Sequence, residues 1–382
     1  MRILHSVLSL DMGGAHVSAV KLACGMRRKG HDVFLSYAPM GGRENKTHPS
    51  LMKSIMDHDV KIVPLKYLRR RPSLLLDPLA LYETAAITRR IKPDVVNTHS
   101  VKPGLFSSMI PRFINDTPVV HTLRGFAAEK TTSGLRRRLF LRLENFILRN
   151  ADSLVTLSPM MAQKIRDRGI RVDSRLRIIR SGFDIEHYRK FHDRKTKFRV
   201  EMGIPEEIPV VGAVAALVME KGILDMAEVF LEIGRRNEHV HFVLVGDGPL
   251  RNDLLNLIAP LEDRFHFFGL QADTAPFYAL MDCLVISSIS EGLPRVAVEA
   301  FCTGLPVVST DVGAISELVI QGITGFLVPK GDTTQLASKA LYLLENKEVR
   351  SEFGTRARVK IDDEFRIENV IDLYLELYSE MI

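Results

Sequence analysis

Short runs of β-branched and other apolar residues alternate along the chain with longer segments in which apolar residues recur every three or four positions. The runs have the length of strands, and the segments between them have the spacing of amphipathic helices. The predicted strands are 1–8, 32–37, 60–64, 94–98, 119–122, 153–157, 177–179, 210–216, 241–245, 265–268, 283–288, 306–310 and 325–328. This repetition predicts an α/β fold of parallel, doubly wound sheets, with ligands bound at the carboxyl ends of the strands.

The alternation lapses once, in a polar and charged stretch between Asp184 and Pro209, and a new strand pattern follows it. A chain of 382 residues also exceeds the ~250–300 residues at which a single core stops growing. We therefore predict two Rossmann-like domains, 1–184 and 185–366, facing a central cleft. A C-terminal helix over 367–382 is expected to cross back to the first domain.

Composition narrows the class of protein. With 46% hydrophobic and 26% charged residues, the chain is neither disordered nor fibrous. Its apolar runs fall short of the ~20 residues that span a bilayer, and Met1–Leu10 is typical of a strand rather than of a targeting peptide, so a cytoplasmic protein is expected. Cys24, Cys283 and Cys302 lie in apolar periodic segments, and we interpret them as reduced core residues rather than disulfide or metal ligands.

The net charge of +6 predicts an anionic partner, which nucleotide, anionic lipid or nucleic acid would satisfy. The helical segment 135–149 combines an apolar face with arginines, and a second basic cluster occupies 66–71. The arginines in question are Arg136, Arg137, Arg138 and Arg142. The pattern favours a helix packed on the sheet with solvated arginines, and the alternative is docking on anionic lipid at the inner face of the cell membrane. No nucleic-acid-binding motif accompanies these arginines, so no nucleic acid partner is expected.

The most informative segment is 286–306, ISSISEGLPRVAVEAFCTGLP. A strand gives way to a short loop with Glu291 and Gly292, and Pro294 marks the start of a helix. The N–H groups at such a helix start can hold a phosphate, and a glycine permits close approach. Glu291 and Glu299 would flank this anion site and could accept hydrogen bonds from sugar hydroxyls, which is the chemistry of a donor sugar.

The pair Glu291 and Glu299, with seven residues between them and in the setting Glu-Gly-Leu-Pro, resembles the E-x7-E motif of the family 4 retaining glycosyltransferases, group 1, which have the GT-B fold. Segments 306–317 and 322–329 are similar to that family too, and the resemblance covers nearly the whole chain. It implies transfer of a sugar from a nucleotide-diphosphate donor with retention of configuration, Glu291 contacting the donor sugar and Glu299 the ribose. An isolated pair of glutamates would more simply lie on an exposed helix face, and the flanking context favours the family.

Lys221 follows the predicted strand 210–216, and beside a glycine it could reach a pyrophosphate as a flexible point charge. Its counterpart in the family binds the donor diphosphate, so Lys221 and Glu291 are the predicted catalytic residues. The sequence departs from the family at Ala216, where many members have an arginine. Arg295 could compensate for that missing contact or could face solvent.

Further donor contacts are implied by position in the family. The loop at Gly269 resembles one whose backbone reads the donor base, and two glycines after the first strand could approach the donor phosphates or the acceptor, although a plain tight turn would use them equally well. Segment 245–251 lacks the third glycine of a dinucleotide fingerprint and is interpreted as a structural turn. The implied donor-binding residues are Glu299, Gly292, Leu293, Pro294, Arg295, Gly269, Leu270, Gly13 and Gly14.

Two residues of the first domain are candidates for contact with the acceptor or the sugar. His99 follows a predicted strand and could bind a sugar hydroxyl, and a structural histidine is an equal alternative. Arg124 stands where many relatives have a histidine beside the donor sugar. The role of that histidine therefore does not transfer, and Arg124 becomes a candidate contact for an anionic donor or acceptor.

The expected reaction uses a nucleotide sugar as co-substrate and needs neither a further cofactor nor a metal, since the sequence has no clustered acidic motif of the metal-binding kind. Several relatives use lipid-linked acceptors, and the expected context is synthesis of cell-surface polysaccharide or lipopolysaccharide. Three alternatives stay open: a sugar-nucleotide epimerase, a catalytically decayed subunit that acts as a binding partner, and a nucleic-acid-binding module. The decayed subunit is the most serious of these, because of Ala216 and Arg124.

Overall fold

The computed structural model describes residues 1–39, 47–69, 72–130, 134–172, 174–361 and 363–382. Its contacts divide the chain into two compact units, Met1–Gly182 with Glu364–Ile382 and Phe183–Asp363. The sequence predicts these divisions at 184/185 and 366/367.

Strands and helices alternate along the described residues. The strands are β1 (Arg2–Ser6), β2 (Asp32–Tyr37), β3 (Lys61–Pro64), β4 (Val95–Thr98), β5 (Val119–Leu123), β6 (Ser153–Thr156), β7 (Leu176–Ile178), β8 (Val210–Val214), β9 (His241–Val245), β10 (Phe265–Phe267), β11 (Cys283–Ile286), β12 (Val307–Thr310) and β13 (Gly325–Val328). The helices are α1 (Gly14–Arg28), α2 (Pro49–Asp57), α3 (Leu76–Ile91), α4 (Val101–Asn115), α5 (Gly134–Asn150), α6 (Pro159–Asp167), α7 (Ile185–Arg189), α8 (Lys195–Glu201), α9 (Ile223–Arg236), α10 (Arg251–Leu257), α11 (Ala275–Leu280), α12 (Arg295–Cys302), α13 (Thr333–Glu345), α14 (Lys347–Lys360) and α15 (Ile367–Ser379). Every predicted strand is confirmed, with ends that shift by at most two residues.

The first unit is built on a parallel sheet with the strand order β3-β2-β1-β4-β5-β6-β7. Strands β4, β5 and β6 are buried along their whole length, as expected of a parallel sheet covered by helices on both faces. The strand order reverses between β1 and β4. The loops that follow these two strands therefore diverge at the carboxyl edge and leave room for a ligand.

The second unit repeats this plan with the order β10-β9-β8-β11-β12-β13, again fully parallel. Its core lies between the sheet and helices such as α9, where Phe230 packs on Phe242 with ring centroids 5.0 Å apart. The reversal here falls between β8 and β11. The segments that precede α9 and α12 consequently leave the sheet side by side.

The polar stretch that marks the end of the first unit folds as two short helices, α7 and α8. Arg199 on α8 is buried and donates to Asp282, directly before β11, at 2.8 Å. Burial opposes ionisation of Asp282, yet Lys195, Arg199 and Arg350 hold its pKa down to about 2. This ion cluster fastens the segment to the second sheet.

Helix α15 completes the core of the first unit from the far end of the chain. Ile371 packs so closely on α1 that a Cβ at Gly25 would lie 2.0 Å from the Ile371 Cδ1. The Asn97 amide on β4 donates to the Tyr378 hydroxyl at 2.6 Å in a buried site, and Thr122 bonds to the same asparagine at 2.9 Å. The last turns of α15 thereby satisfy polar groups in the middle of the sheet.

Three histidines lie buried in the first unit: His5 on β1, His99 after β4 and His121 on β5. Burial lowers the pKa of His5 to about 3, with a contribution from the Arg124 charge, and lowers the pKa of His121 to about 4. Burial, with Arg124 again adding to it, also takes the pKa of His99 well below 6.5. All three rings are neutral near pH 7.

Replacement of Tyr378 by Phe leaves the buried Asn97 amide without its acceptor. We expect the free energy of unfolding of the first unit to fall by about 1–2 kcal/mol, measured by urea denaturation with amide exchange in β4 as the probe. The matched control is Tyr342→Phe, since that tyrosine is 43% exposed. Equal effects of the two substitutions would contradict the role of the Tyr378 hydroxyl.

The buried histidines predict acid sensitivity. Their folded pKa values lie below the ordinary value of 6.5, so their contribution to stability is complete above pH 6.5 and is lost as the pH falls towards about 4. Each histidine contributes about 1.4 kcal/mol per pH unit to the slope of unfolding free energy in that window. We expect His121→Asn to reduce the slope by this amount between pH 6 and 4.5, whereas His239→Asn, at an exposed position, should leave it unchanged.

Candidate functional site

Two predicted site residues meet at the reversal of the second sheet. The Lys221 Nζ, which follows β8, lies 2.6 Å from the Glu291 Oε1, which follows β11. The Ser288 hydroxyl donates to the same carboxylate oxygen at 2.6 Å. The Glu291 side chain is 8% exposed and the Lys221 side chain is 30% exposed, so solvent reaches the ion pair mainly on the lysine side.

A glycine fixes the position of Lys221. Gly222 has a φ of +60°, and a Cβ there would lie 2.0 Å from the Ser287 carbonyl oxygen. The Ser287 hydroxyl donates to the carbonyls of Lys221 at 3.1 Å and Gly222 at 2.8 Å. Only glycine fits this position, and the turn that carries Lys221 is thereby held against the end of β11.

The loop of Glu291 is supported by the loop after β12. Gly313 has a φ of +61°, and a Cβ there would lie 2.1 Å from the Glu291 carbonyl oxygen. The Ala314 N–H donates to the Gly292 carbonyl at 2.9 Å. Sequence reasoning missed the contacts of Ser288 and Gly313, although both residues lie in the segments that carry the family resemblance.

Glu299 lies on the second turn of α12, and the helix begins after Pro294, where no side chain caps it. Its carboxylate accepts from the Tyr278 hydroxyl at 2.8 Å, from the Thr274 hydroxyl at 3.4 Å and from the Arg295 guanidinium at 3.2 Å. Burial, together with the Glu299 charge, raises the pKa of Tyr278 well above its ordinary value, which keeps the phenol a donor. These donors occupy three of the roughly four acceptor positions of a carboxylate.

Two alternatives from the sequence are resolved by these contacts. Glu299 is buried on α12, and Glu291 precedes that helix with a side chain that is 8% exposed, so the pair does not lie on an exposed helix face. Arg295 does not face solvent: its side chain is 16% exposed and its guanidinium lies 4.5 Å from the Phe183 ring centre.

The loop predicted to read the donor base lies at the end of β10. Gly269 has a φ of +62°, its carbonyl accepts from the Gly246 N–H at 2.7 Å, and Leu270 is 51% exposed. A Cβ at Gly246 would lie 1.8 Å from the Ala215 carbonyl oxygen. Segment 245–251 is thus a tight turn between neighbouring loops, and α10 begins only at Arg251.

In the first unit, Gly13 and Gly14 form the junction between β1 and α1. The Asp11 carboxylate accepts from the Gly13 N–H at 2.8 Å and bonds to the His16 ring at 2.6 Å. Burial opposes the charge of Asp11, but the His16 contacts and the Gly13 N–H lower its pKa below the ordinary value. Asp11 and His16 were missed from the sequence, where an aspartate two residues before a glycine at a helix start is the available signal.

His99 and Arg124 lie at the carboxyl ends of β4 and β5 in the same sheet. The His99 ring is stacked on His5, and its Nε2 lies 3.0 Å from the His5 Nδ1. The His99 Nδ1 is buried and has no hydrogen-bond partner in the described part of the chain. The Arg124 guanidinium donates to the Ser181 hydroxyl at 3.3 Å. Its positive charge helps to lower the pKa values of His5 and His99.

The arginines of α5 are solvent-exposed, together with large apolar side chains. Leu135 on α5 is 83% exposed, and Leu74 and Leu75, directly before α3, are 96% and 82% exposed. Helices α3 and α5 both pack on α4, so these residues flank one helix of the first unit. The amphipathic surface comprises Leu74, Leu75, Leu135, Arg136, Arg137, Arg138 and Arg142. Of the second basic cluster, residues 70 and 71 lie outside the described residues.

Membrane-spanning helices and metal-binding clusters are both absent from the described residues. No helix there is long and apolar enough to cross a membrane. In the same residues, no three His, Cys, Asp or Glu side chains are grouped so that they could hold a metal ion. Cys24, Cys283 and Cys302 are free and buried.

Comparisons with known proteins agree with this architecture. The chain is 26% identical over 383 residues to an N-acetyl-alpha-D-glucosaminyl L-malate synthase of Bacillus anthracis, covering 97% of this chain and 95% of that protein. It is 28% identical over 333 residues to a UDP-Gal:alpha-D-GlcNAc-diphosphoundecaprenol alpha-1,3-galactosyltransferase of Escherichia coli, covering 86% of each. The crystal structure of Anabaena Alr3699/HepE in complex with UDP-glucose superposes with a TM-score of 0.83 at 23% identity, covering 100% of both chains.

Family models match both parts of the chain. The model described as Glycosyltransferase Family 4 matches residues 12–187, and the one described as Glycosyl transferases group 1 matches residues 208–346. The chain is a glycosyltransferase that belongs to family 4, group 1, and it has the GT-B fold.

Proposed function

We propose that the protein transfers a sugar, with retention of configuration, from a nucleotide-diphosphate sugar held by the second unit to a hydroxyl group of an acceptor. The observation that supports this most is the contact of Lys221 with Glu291 at the reversal of the second sheet. The lysine cation suits the diphosphate of a nucleotide sugar, and the glutamate can accept hydrogen bonds from the sugar hydroxyls. Doubly wound sheets bind ligands at such a reversal of strand order.

Lys221 and the amino end of α12 would hold the diphosphate, and Glu291 would accept hydrogen bonds from the sugar. In the ligand-free protein the lysine charge is neutralised by Glu291, so the diphosphate takes over as the partner of Lys221 when the donor binds. In the reaction, the bond from the anomeric carbon to the diphosphate oxygen breaks, and the acceptor oxygen forms its bond on the same face. The acceptor proton passes to the departing diphosphate, whose developing charge Lys221 stabilises.

The remaining donor contacts follow from the family positions. Glu299, held by Tyr278 and Arg295, has acceptor capacity left for a ribose hydroxyl. Because Arg295 is engaged in this way, we assign the diphosphate to Lys221 and backbone N–H groups, with no replacement for the arginine missing at Ala216. The backbone of Gly292, Leu293 and Pro294 would line the diphosphate, and Gly269 and Leu270 would contact the base. We propose no metal here, since both glutamates are already bonded to cationic side chains.

The acceptor side is assigned to the first unit. Gly13 and Gly14 would line it at the start of α1, with His99 and Arg124 as direct contacts. The acceptors named for relatives differ in class, from L-malate to a lipid-linked sugar diphosphate. Relatives named for capsular polysaccharide and lipopolysaccharide core synthesis support a role in cell-surface glycoconjugate synthesis.

We further propose that the protein is cytoplasmic and that the amphipathic surface binds the inner, anionic face of the cell membrane. Exposed leucines next to arginines are the combination that binds the boundary between headgroups and acyl chains. Helices that follow the strands of a parallel sheet begin at its carboxyl edge, so this surface borders the edge that carries His99. A lipid-linked acceptor would then approach the site from the membrane.

The donor site is tested by hydrolysis and binding across a panel of nucleotide sugars that begins with UDP-glucose. We expect one donor to bind and to be hydrolysed slowly, and Lys221→Ala and Glu291→Gln each to lower kcat/KM about 100-fold, because each removes a group that faces the donor. Lys330→Ala, an exposed lysine of the same unit, is the control and should have no effect.

Failure of every donor to bind would favour the decayed subunit instead. If donor binding is intact but the product is an isomer of the donor sugar, with nucleotide retained, the epimerase alternative holds. Hydrolysis that survives both substitutions would place the site elsewhere.

The membrane surface is tested by sedimentation with phosphatidylglycerol vesicles. Replacing the four arginines of the amphipathic surface by Ala should reduce binding at least tenfold, since each basic residue contributes about 1 kcal/mol near an anionic surface. The control removes four exposed arginines of the second unit, Arg235, Arg236, Arg251 and Arg356. Equal losses in the two variants would show that net charge alone is responsible, and the surface would be discarded.

A further inference from the structure

Three side chains form a hydrogen-bonded chain through the core of the first unit. The His5 Nε2 lies 3.4 Å from the Met26 Sδ on α1, and the His5 Nδ1 lies 3.0 Å from the His99 Nε2. The chain ends at the His99 Nδ1, which is buried and has no partner among the described residues. The His99 residue as a whole is 3% exposed.

The thioether at one end sets the position of every proton along this chain. A methionine sulfur can only accept, so the His5 Nε2 must carry the proton. A neutral imidazole has one N–H, so the His5 Nδ1 is an acceptor and the His99 Nε2 is the donor to it. The His99 Nδ1 then carries no proton and presents a free lone pair.

Both rings stay neutral under ordinary conditions. Burial lowers the pKa of His5 to about 3 and the pKa of His99 well below 6.5, and the Arg124 charge adds to both effects. The His99 Nδ1 is therefore an acceptor across the pH range in which enzymes of this kind are assayed. A buried acceptor without a donor costs free energy, and a hydroxyl group of a ligand is one donor that would remove this cost.

Among the described residues, none of the groups that face His99 bonds to its Nδ1. Its charged and titratable neighbours are Arg124, His5, His121 and His16. His121 bonds to the Thr98 hydroxyl at 2.7 Å, and His16 is paired with an aspartate. His99 follows β4 beside β1, at the point where the strand order reverses and where ligands of such sheets bind.

We propose that the His99 Nδ1 accepts a hydrogen bond from a hydroxyl group of the acceptor substrate, and that Met26 and His5 impose this role by fixing the tautomer of the ring. The inference rests on the proposed function, since it presumes that the first unit binds an acceptor alcohol. His99 binds and orients that hydroxyl and takes no proton from it. Met26 and His5 are positioning residues that act through His99.

The tautomer is measured first, without any ligand. In the full chain labelled with 15N-histidine, we expect the nitrogen spectrum at pH 7 to show His99 with a protonated Nε2 and a proton-free Nδ1. Met26→Leu removes the thioether and should produce a mixture of His5 and His99 tautomers. Met161→Leu, at another buried methionine of the same unit, should leave the spectrum unchanged. A protonated His99 Nδ1 in the wild type overturns the proposal.

The hydroxyl contact is tested with two substitutions that separate the ring nitrogens. The Oδ1 of His99→Asn can replace the Nδ1 acceptor, whereas the amide of His99→Gln can replace only the Nε2 donor to His5. The probes are L-malate, octyl β-D-glucoside and octyl N-acetyl-α-D-glucosaminide, screened with the donor found above. We expect His99→Gln to raise the KM of the reacting probe about tenfold and His99→Asn to change it much less.

Donor hydrolysis in water is measured in parallel for the wild type and both variants, and the change in the KM of the probe is compared with the change in hydrolysis. Absence of donor hydrolysis in the wild type would refute the proposed function. The nitrogen spectrum would still show which ring nitrogen of His99 carries the proton. Equal KM values for the two variants overturn the hydroxyl contact. A panel in which no probe reacts and none shifts the Nδ1 resonance of His99 overturns it as well.

Discussion

The reversal of strand order near the middle of each sheet is the constraint on which the rest of the structure depends. In the second unit it brings Lys221, after β8, against Glu291, after β11. The ion pair exists because two crossover helices leave the sheet in opposite directions at this point and their preceding loops share one space. In the first unit the same reversal places His99 beside the end of β1.

The loops at the reversal of the second unit are held by backbone packing. Gly222 and Gly313 both have positive φ, and they lie against the carbonyl oxygens of Ser287 and Glu291, so both loops pack closely on the segment that follows β11. Ser287 and Ser288 add hydrogen bonds to the same backbone and to Glu291. Such rigidity suits the proposed donor site, whose contribution to the reaction would be charge held in place in advance, because no free energy is then spent on reorganising it.

The first unit differs in what it buries. Its polar interior includes three histidines, Asn97 and the hydroxyls of α15, and most of these groups bond to one another. Among the described residues, the buried His99 Nδ1 and Ser6 Oγ have no hydrogen-bond partner. Because Asn97 and Thr122 bond to tyrosines of α15, these hydrogen bonds form only after α15 has packed on the first sheet. The first unit therefore combines two separate stretches of the chain, whereas the second unit is formed from one continuous stretch.

The sequence by itself determined the strands, the parallel α/β class and the family, because buried parallel strands are continuous apolar runs and because the spacing of Glu291 and Glu299 lies within one loop and helix. It also predicted Lys221 and the glycines as candidate site residues, since these depend on local turn chemistry. Only the tertiary structure decided which side chains meet: the pairing of Lys221 with Glu291, the burial of Arg295 against Glu299, and the chain from Met26 through His5 to His99. Lys221 and Glu291 are 70 positions apart in the sequence, and His5 and His99 are 94 apart. The local sequence pattern carries no information about the spatial distance between such residues, because the order of the strands in the sheet sets it.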